Sequence, residues 1–210
     1  MILAISTRVT EAQNYSEKRN SISYEFISYI ERLGMTPVII PNNLKDLDKY
    51  LAKFKFNGVV LTGGNNVSSL NYKPNCILTD VYQEREKTEA SLFNYALKNK
   101  IPVLGICRGF QFINVHLGGS LTHNIADHVN VMHELISDNN MFNKKIVNSY
   151  HNQGIEINQL SSSLFPIATT KDKFVEAFES KSMKVLGFQW HPERHHNLFD
   201  TNLIVKHFQK

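Results

Sequence analysis

Cysteine is nearly absent from this chain, with Cys76 and Cys107 the two examples in 210 residues. A single pairing would add little to a domain large enough to bury its own core, so a disulfide-built scaffold is excluded and a reducing, cytoplasmic compartment is expected. Long apolar runs are missing too. None approaches the ~18 residues that a membrane helix needs, and the opening MILAIS carries no basic region, which argues against both membrane insertion and a signal peptide. Charge of one sign is nowhere concentrated. The net charge is +4 and the pI about 9.0, yet the closest groupings are pairs such as Lys98 with Lys100 and Lys144 with Lys145. A nucleic-acid footprint would gather such residues and interleave aromatics. There is no internal repeat, low-complexity tract or linker, so residues 1–210 read as one domain.

What is present alternates between apolar runs and helical periodicity. Met1–Ser6 suits a central parallel strand and runs into a polar stretch, Thr7 to Asn20, read as a ligand-facing loop containing Arg8, Tyr15 and Arg19. Ile22, Phe26, Ile27, Ile30 and Leu33 repeat with helical period, and Gly34 ends that helix. Strands follow at Thr36 to Pro41 and at Gly58 to Thr62, separated by a short helix marked by Leu44, Leu47 and Leu51. The second of these strands ends in Gly63-Gly64-Asn65-Asn66, a turn whose N–H groups suit an anion or an oxyanion. An irregular loop from Ser68 to Thr79 leads to a polar helix from Val81 to Lys98. Beyond Gly119, short strand-like segments at 129–137, 145–150, 165–170, 174–179 and 184–190 lack helices between them, so some must pair antiparallel. A helix from Leu198 to Phe208 closes the chain.

The stretch Ile101–Gly119 carries the strongest chemical signal. An apolar run reads as a buried strand, and Phe110, Ile113 and Leu117 then recur at helical spacing. Cys107 sits at the bend between Gly105 and Gly109. A cysteine in an apolar run is commonly an inert core residue. The G-x-C-x-G spacing points the other way, because small residues on both sides allow a sharp turn that exposes a nucleophile. The thiol would also lie at a helix N-terminus, where thiolate is favoured.

Such a nucleophile needs a base, and the base needs an orienting group. Among nine histidines, His191 in Gly187–Glu193, GFQWHPE, is best placed. It ends a strand-like segment that Pro192 stops, and Glu193 follows two residues later. If this strand runs parallel to the one ending at Ile106, both open at the same sheet edge. His195 and His196 form no ligand pattern, and His116, His123, His128, His133 and His207 show no ligand spacing, so no metal site is expected.

Taken together, GICRGFQ around Cys107, SYHNQG at 149–154, FVEAFE at 174–179 and GFQWHPE around His191 resemble the class I glutamine amidotransferase fold. Within it they look like the γ-glutamyl hydrolases typified by γ-glutamyl-γ-aminobutyrate hydrolase, with RLGMTPVIIP, VVLTGG and LGGSL in register as well. The resemblance implies a three-layer, flavodoxin-like α/β fold: a mostly parallel sheet flanked by helices, with a small antiparallel addition.

It also implies roles. Cys107 would be the nucleophile, His191 the general base and acid, and Glu193 its orienter. The N–H groups of Gly64 and Arg108 would form the oxyanion hole. Gln111, Asn65, Ser149, Tyr150 and His151 would hold the glutamyl group, with Arg19, Arg8 or Lys73 toward a diphosphate. The Gly64-Asn65-Asn66 turn departs from the serine- or proline-bearing turn of many relatives, so which N–H completes the oxyanion hole stays open. Arg108 directly after the cysteine resembles hydrolases rather than ammonia donors, which carry an apolar residue there.

The implied partner is a small γ-glutamyl substrate. A nucleotide-linked one, γ-glutamyl-CDP-amidate of capsule phosphoramidate modification, is preferred over γ-glutamyl-γ-aminobutyrate. A synthetase glutaminase subunit and an inactive binding module are the alternatives. No cofactor is implied, and both monomer and homodimer remain open.

Overall fold

The computed structural model describes residues 1–68, 79–195 and 197–209. The chain runs β1 (Ile2–Ser6), β2 (Arg8–Glu11), β3 (Lys18–Ser21), α1 (Tyr24–Arg32), β4 (Thr36–Ile40), α2 (Leu47–Leu51), β5 (Gly58–Leu61) and α3 (Gln83–Asn99). It continues through β6 (Val103–Ile106), α4 (Arg108–His116), β7 (Thr122–His123), β8 (Val129–Glu134), β9 (Ile146–Tyr150) and β10 (Gln153–Gly154). The last elements are β11 (Phe165–Thr169), β12 (Val175–Ser180), β13 (Val185–Phe188) and α5 (Leu198–Phe208). The expected loop from Ser68 to Thr79, with Lys73 and Cys76, falls almost entirely outside the described residues, as does His196.

A seven-stranded sheet in the order β11-β12-β13-β6-β5-β1-β4 forms the middle layer. Strands β4, β1, β5, β6 and β13 are parallel, while β12 and β11 extend one edge antiparallel. This is the expected mostly parallel fold, with its antiparallel addition partly built into the sheet itself. Strands buried on both faces read as continuous apolar runs, and their alternation sends neighbouring side chains to opposite cores. Leu3, Ile5, Val60, Leu104 and Ile106 face one core with Phe26 and Ile30 of α1 and Ile204 and Phe208 of α5. Ala4, Val59, Leu61 and Val103 face the other with Leu92 and Phe93 of α3 and Phe110 and Ile113 of α4.

Three further two-stranded sheets, β2–β3, β8–β9 and β7–β10, stand apart from the central one. The first corrects the reading of Thr7 to Asn20 as a loop. Its register is tied by polar groups rather than a buried face: Thr7 Oγ1 donates to Asn20 Oδ1 at 3.0 Å, and Thr10 and Ser21 hydroxyls meet at 2.6 Å.

The parallel register fixes what matters for chemistry. Phe188 of β13 lies opposite Ile106 of β6, and the Cys107 N–H donates to Phe188 O at 2.8 Å. The C-terminal ends of β6 and β13 therefore open at one edge, beside the end of β5. Strand β13 stops at Phe188, earlier than the expected stop at Pro192, although Gln189 N–H still donates to Glu176 O of β12 at 2.8 Å in the register of that ladder.

Candidate active site

Cys107 occupies a backbone conformation that side chains seldom adopt, φ 51° and ψ −103°, immediately before α4. The strain persists because the surroundings leave no alternative. A Cβ at Gly109 would stand 2.0 Å from Leu61 O, so only glycine lets α4 start this close to β5. The result is a thiol facing a cavity of about 310 Å³ lined also by Gly63, Gly64, Gln111, His151 and His191.

His191 is anchored at its main chain. Its N–H donates to Asn148 Oδ1 at 2.9 Å, and Asn148 Nδ2 donates to its carbonyl at 2.8 Å. Its Nδ1 lies 2.6 Å from Glu193 Oε1, which fixes the ring and leaves Nε2 for the thiol. Cys107, His191 and Glu193 are all buried. Burial pushes the Cys107 thiol up, but the charge and hydrogen bond of His191, aided by His151, outweigh it and hold the thiol below its ordinary value. For His191 burial pulls the imidazole down, and Cys107 and Glu193 more than reverse that. Both shifts favour the charged forms of the two groups.

Behind the Gly63-Gly64 turn lies a cation that sequence reasoning missed. Arg85 of α3 is fully buried and ion-pairs with Glu89 at 3.0 Å. It donates to Thr62 O at 2.7 Å and Gly63 O at 3.0 Å, and also to Gly64 O. Burial draws its pKa down to about 9, so it remains charged at neutral pH. Because each peptide is trans, drawing the Gly63 and Gly64 carbonyls toward Arg85 turns the next N–H groups, of Gly64 and Asn65, the opposite way. Gly64 takes φ 81°, and a Cβ there would meet Arg8 Cδ at 2.6 Å. Arg108, as the first residue of α4, directs its N–H out of the helix end. Its guanidinium instead runs inward, pairing with Glu89 and, at 3.6 Å, with Glu86.

The other expected residues divide. Gln111, Asn65, Tyr150 and His151 line the cavity, whereas Ser149 and Arg19 do not. Alternation along β9 turns Ser149 away from its neighbour Tyr150, and its Oγ donates to His128 O at 2.6 Å. Arg19 sits on β3, held by Glu17 at 2.5 Å and Tyr15 at 2.5 Å. Asn65 lines the cavity with a committed side chain, which accepts from Val9 N–H at 2.8 Å and donates to Asp80 at 2.8 Å.

Residues outside the expected set, together with Arg8 from within it, fill the gaps. Gln189 Nε2 approaches Cys107 Sγ at 3.8 Å, and Gln111 Nε2 donates to Gln189 Oε1 at 3.2 Å. Arg8 and Arg194 are exposed at the cavity's mouth, the latter 4.2 Å over the Tyr150 ring. Gln189 and Asn148 lie in or beside the quoted motifs, so a signal for both existed. Among the described residues, one group has the makings of a metal site: His128, His151 and Glu176, with ligand atoms within 4.8 Å of one another. Their sequence separation explains why spacing gave His128 no such role.

Comparison with known proteins finds relatives over most of the chain. The chain is 30% identical over 211 residues to the gamma-glutamyl-CDP-amidate hydrolase of Campylobacter jejuni, spanning 99% of this chain and 98% of that one. It is 28% identical over 203 residues to the gamma-glutamyl-gamma-aminobutyrate hydrolase of Escherichia coli O157:H7, spanning 82% and 78%. A glutamine amidotransferase structure from Thermotoga maritima shares the fold at TM-score 0.60 and 20% identity, over 91% of this chain and 75% of that one. Residues 1–193 match the family described as Peptidase C26, and the chain belongs to that family.

Proposed function

We propose that the protein is a γ-glutamyl hydrolase, a single catalytic unit over residues 1–210, in which Cys107, His191 and Glu193 perform the chemistry. The observation that carries this reading is a buried Cys107–His191 pair whose imidazole is oriented by Glu193 at 2.6 Å. The Cys107 thiolate attacks the γ-carbonyl, forming a C–S bond, and the oxyanion receives N–H groups from Gly64 and Arg108. His191 gives its proton to the leaving nitrogen as the C–N bond breaks. Water then attacks the thioester while His191 takes a proton, releasing glutamate and restoring the thiolate. Gln111, Tyr150 and His151 line the side of the cavity that would hold the glutamyl group.

For the leaving group the reading is a cytidine diphosphoramidate, the product used in capsule phosphoramidate modification. It draws on the near full-length likeness to the Campylobacter jejuni hydrolase and on two guanidinium groups, Arg8 and Arg194, lining one cavity. Paired guanidiniums match the charge and geometry of a diphosphate. Arg194 thus replaces Arg19, which is committed elsewhere, and Lys73 lies outside the described residues.

The test is glutamate release, without a partner protein, from γ-glutamyl-CDP-amidate, γ-glutamyl-γ-aminobutyrate and glutamine. The nucleotide amidate should give the highest kcat/KM, with Arg8→Ala and Arg194→Ala raising KM for it and sparing glutamine. Preference for the aliphatic amide would overturn the substrate, and no release from any of the three would overturn the reaction.

A further inference from the structure

A buried carboxylate is costly unless it is well paired, and Glu176 on β12 has one long contact, to His151. It is fully buried, and neither of its oxygens has a hydrogen-bond partner among the described residues. Facing it is His151 Nε2 at 3.5 Å, the limit of a hydrogen bond and itself without a bonded partner. His128 Nδ1 is buried and unbonded as well. Three ligand atoms, from the residue before β8, the residue after β9 and β12 itself, thus converge within 4.8 Å.

The outward side of each imidazole is already engaged. His151 Nδ1 donates to Gln153 O at 2.9 Å, which turns Nε2 toward Glu176; a metal there would take the place of the proton that the Glu176 carboxylate favours on the ring. His128 Nε2 lies 2.9 Å from Asp172 Oδ2, a carboxylate–histidine contact that leaves Nδ1 facing inward. Outer contacts of this kind orient imidazoles for metal binding. The main chain is tied too: His151 N–H donates to His128 O at 3.1 Å, and Ser149 Oγ donates to the same carbonyl.

One shared proton would satisfy a single His151–Glu176 pair and leave His128 Nδ1 buried without a partner. A divalent cation satisfies all three atoms together. We infer that His128, His151 and Glu176 form a binding site for a divalent transition metal, with zinc the best match to two imidazoles and a carboxylate. The site clasps the β8–β9 hairpin to β12 behind the Tyr150–His151 wall of the cavity. It does not depend on the reaction assigned to Cys107. His151 lines the cavity, and Asp172, behind His128, is half exposed at 52%.

The test uses untagged, chelator-treated full-length protein titrated calorimetrically with zinc, and with cobalt followed by its visible d–d absorption. Expected is one ion per chain, a tetrahedral-type cobalt spectrum free of thiolate charge transfer, and binding retained in Cys107→Ser. Asp172→Asn, at an exposed position that spares the fold, should weaken binding ~10–100-fold. His128→Asn, checked by circular dichroism, should abolish it. Absence of binding in the parent protein would overturn the proposal. So would binding that vanishes in Cys107→Ser but survives in His128→Asn, or affinity unchanged in Asp172→Asn and His128→Asn alike. Nitrogen NMR detecting a proton on His151 Nε2 at saturating zinc would show a buried ion pair instead, and would also overturn it.

Discussion

On one wall of the cleft the reactive geometry is made of backbone. The Cys107 turn is set by a glycine contact and a strand-to-strand hydrogen bond, and the Gly63-Gly64 turn by carbonyls drawn onto Arg85. On the facing wall, Tyr150, His151 and Gln153 present side chains from a hairpin joined to β12 through His151 and Glu176. The first wall is built on short turns, one of them backed by the buried Arg85. The second depends on groups far apart in the chain. Damage should therefore reach chemistry on the first wall, and recognition or local stability on the second.

The sharpest break on the first wall is Cys107→Ala, which should lower glutamate release on the order of 10⁶-fold while leaving substrate binding measurable by calorimetry. Next comes Arg85→Met. Removing one member of a buried charged network should cost about 3–5 kcal/mol in urea unfolding, and in whatever remains folded kcat should fall more than KM rises. Arg85→Lys should recover part of the stability, yet less of kcat, since an ammonium cannot span three successive carbonyls. Gly109→Ala pushes a methyl into Leu61 O and should cost about 1–3 kcal/mol by the same measurement.

A pH experiment compares the walls directly. Alkylation of Cys107 by iodoacetamide follows the thiolate, which the folded protein keeps below the ordinary thiol value. The rate should persist below the pH at which an ordinary thiol loses it, and fail once pH passes below the depressed value. His191→Asn removes the strongest opposing influence, so burial prevails and the midpoint moves to higher pH. His151→Asn should move it the same way by less, because His151 contributes less to the lowering. The smallest effect belongs outside both walls: Lys18→Ala, breaking an exposed pair with Glu84, should leave the urea midpoint essentially unchanged.

The first wall was largely legible in the sequence because its parts are contiguous. Gly105-x-Cys107-x-Gly109 spells the bend, His191 and Glu193 share a motif, and α5 runs from Leu198 to Phe208 as expected. Arg85 escaped notice since a charged residue on a polar helix reads as solvated until the strand beside it is known. The β2–β3 hairpin escaped because its strands have no apolar alternation, only hydroxyl and amide pairing. Ser149 shares its motif with Tyr150 and His151, yet alternation along β9 turns it to the opposite face. The His128–His151–Glu176 convergence has no local signature at all.

The hydrogen bond from Cys107 to Phe188 has a consequence in time as well as space. Strand β13 enters the sheet between β6 and β12, both of which precede it in the chain. During synthesis the cysteine emerges long before His191, without the neighbour that makes its thiol acidic. The nascent protein therefore carries an ordinary, sluggish thiol, and reactivity switches on only when the late strand inserts and completes the sheet.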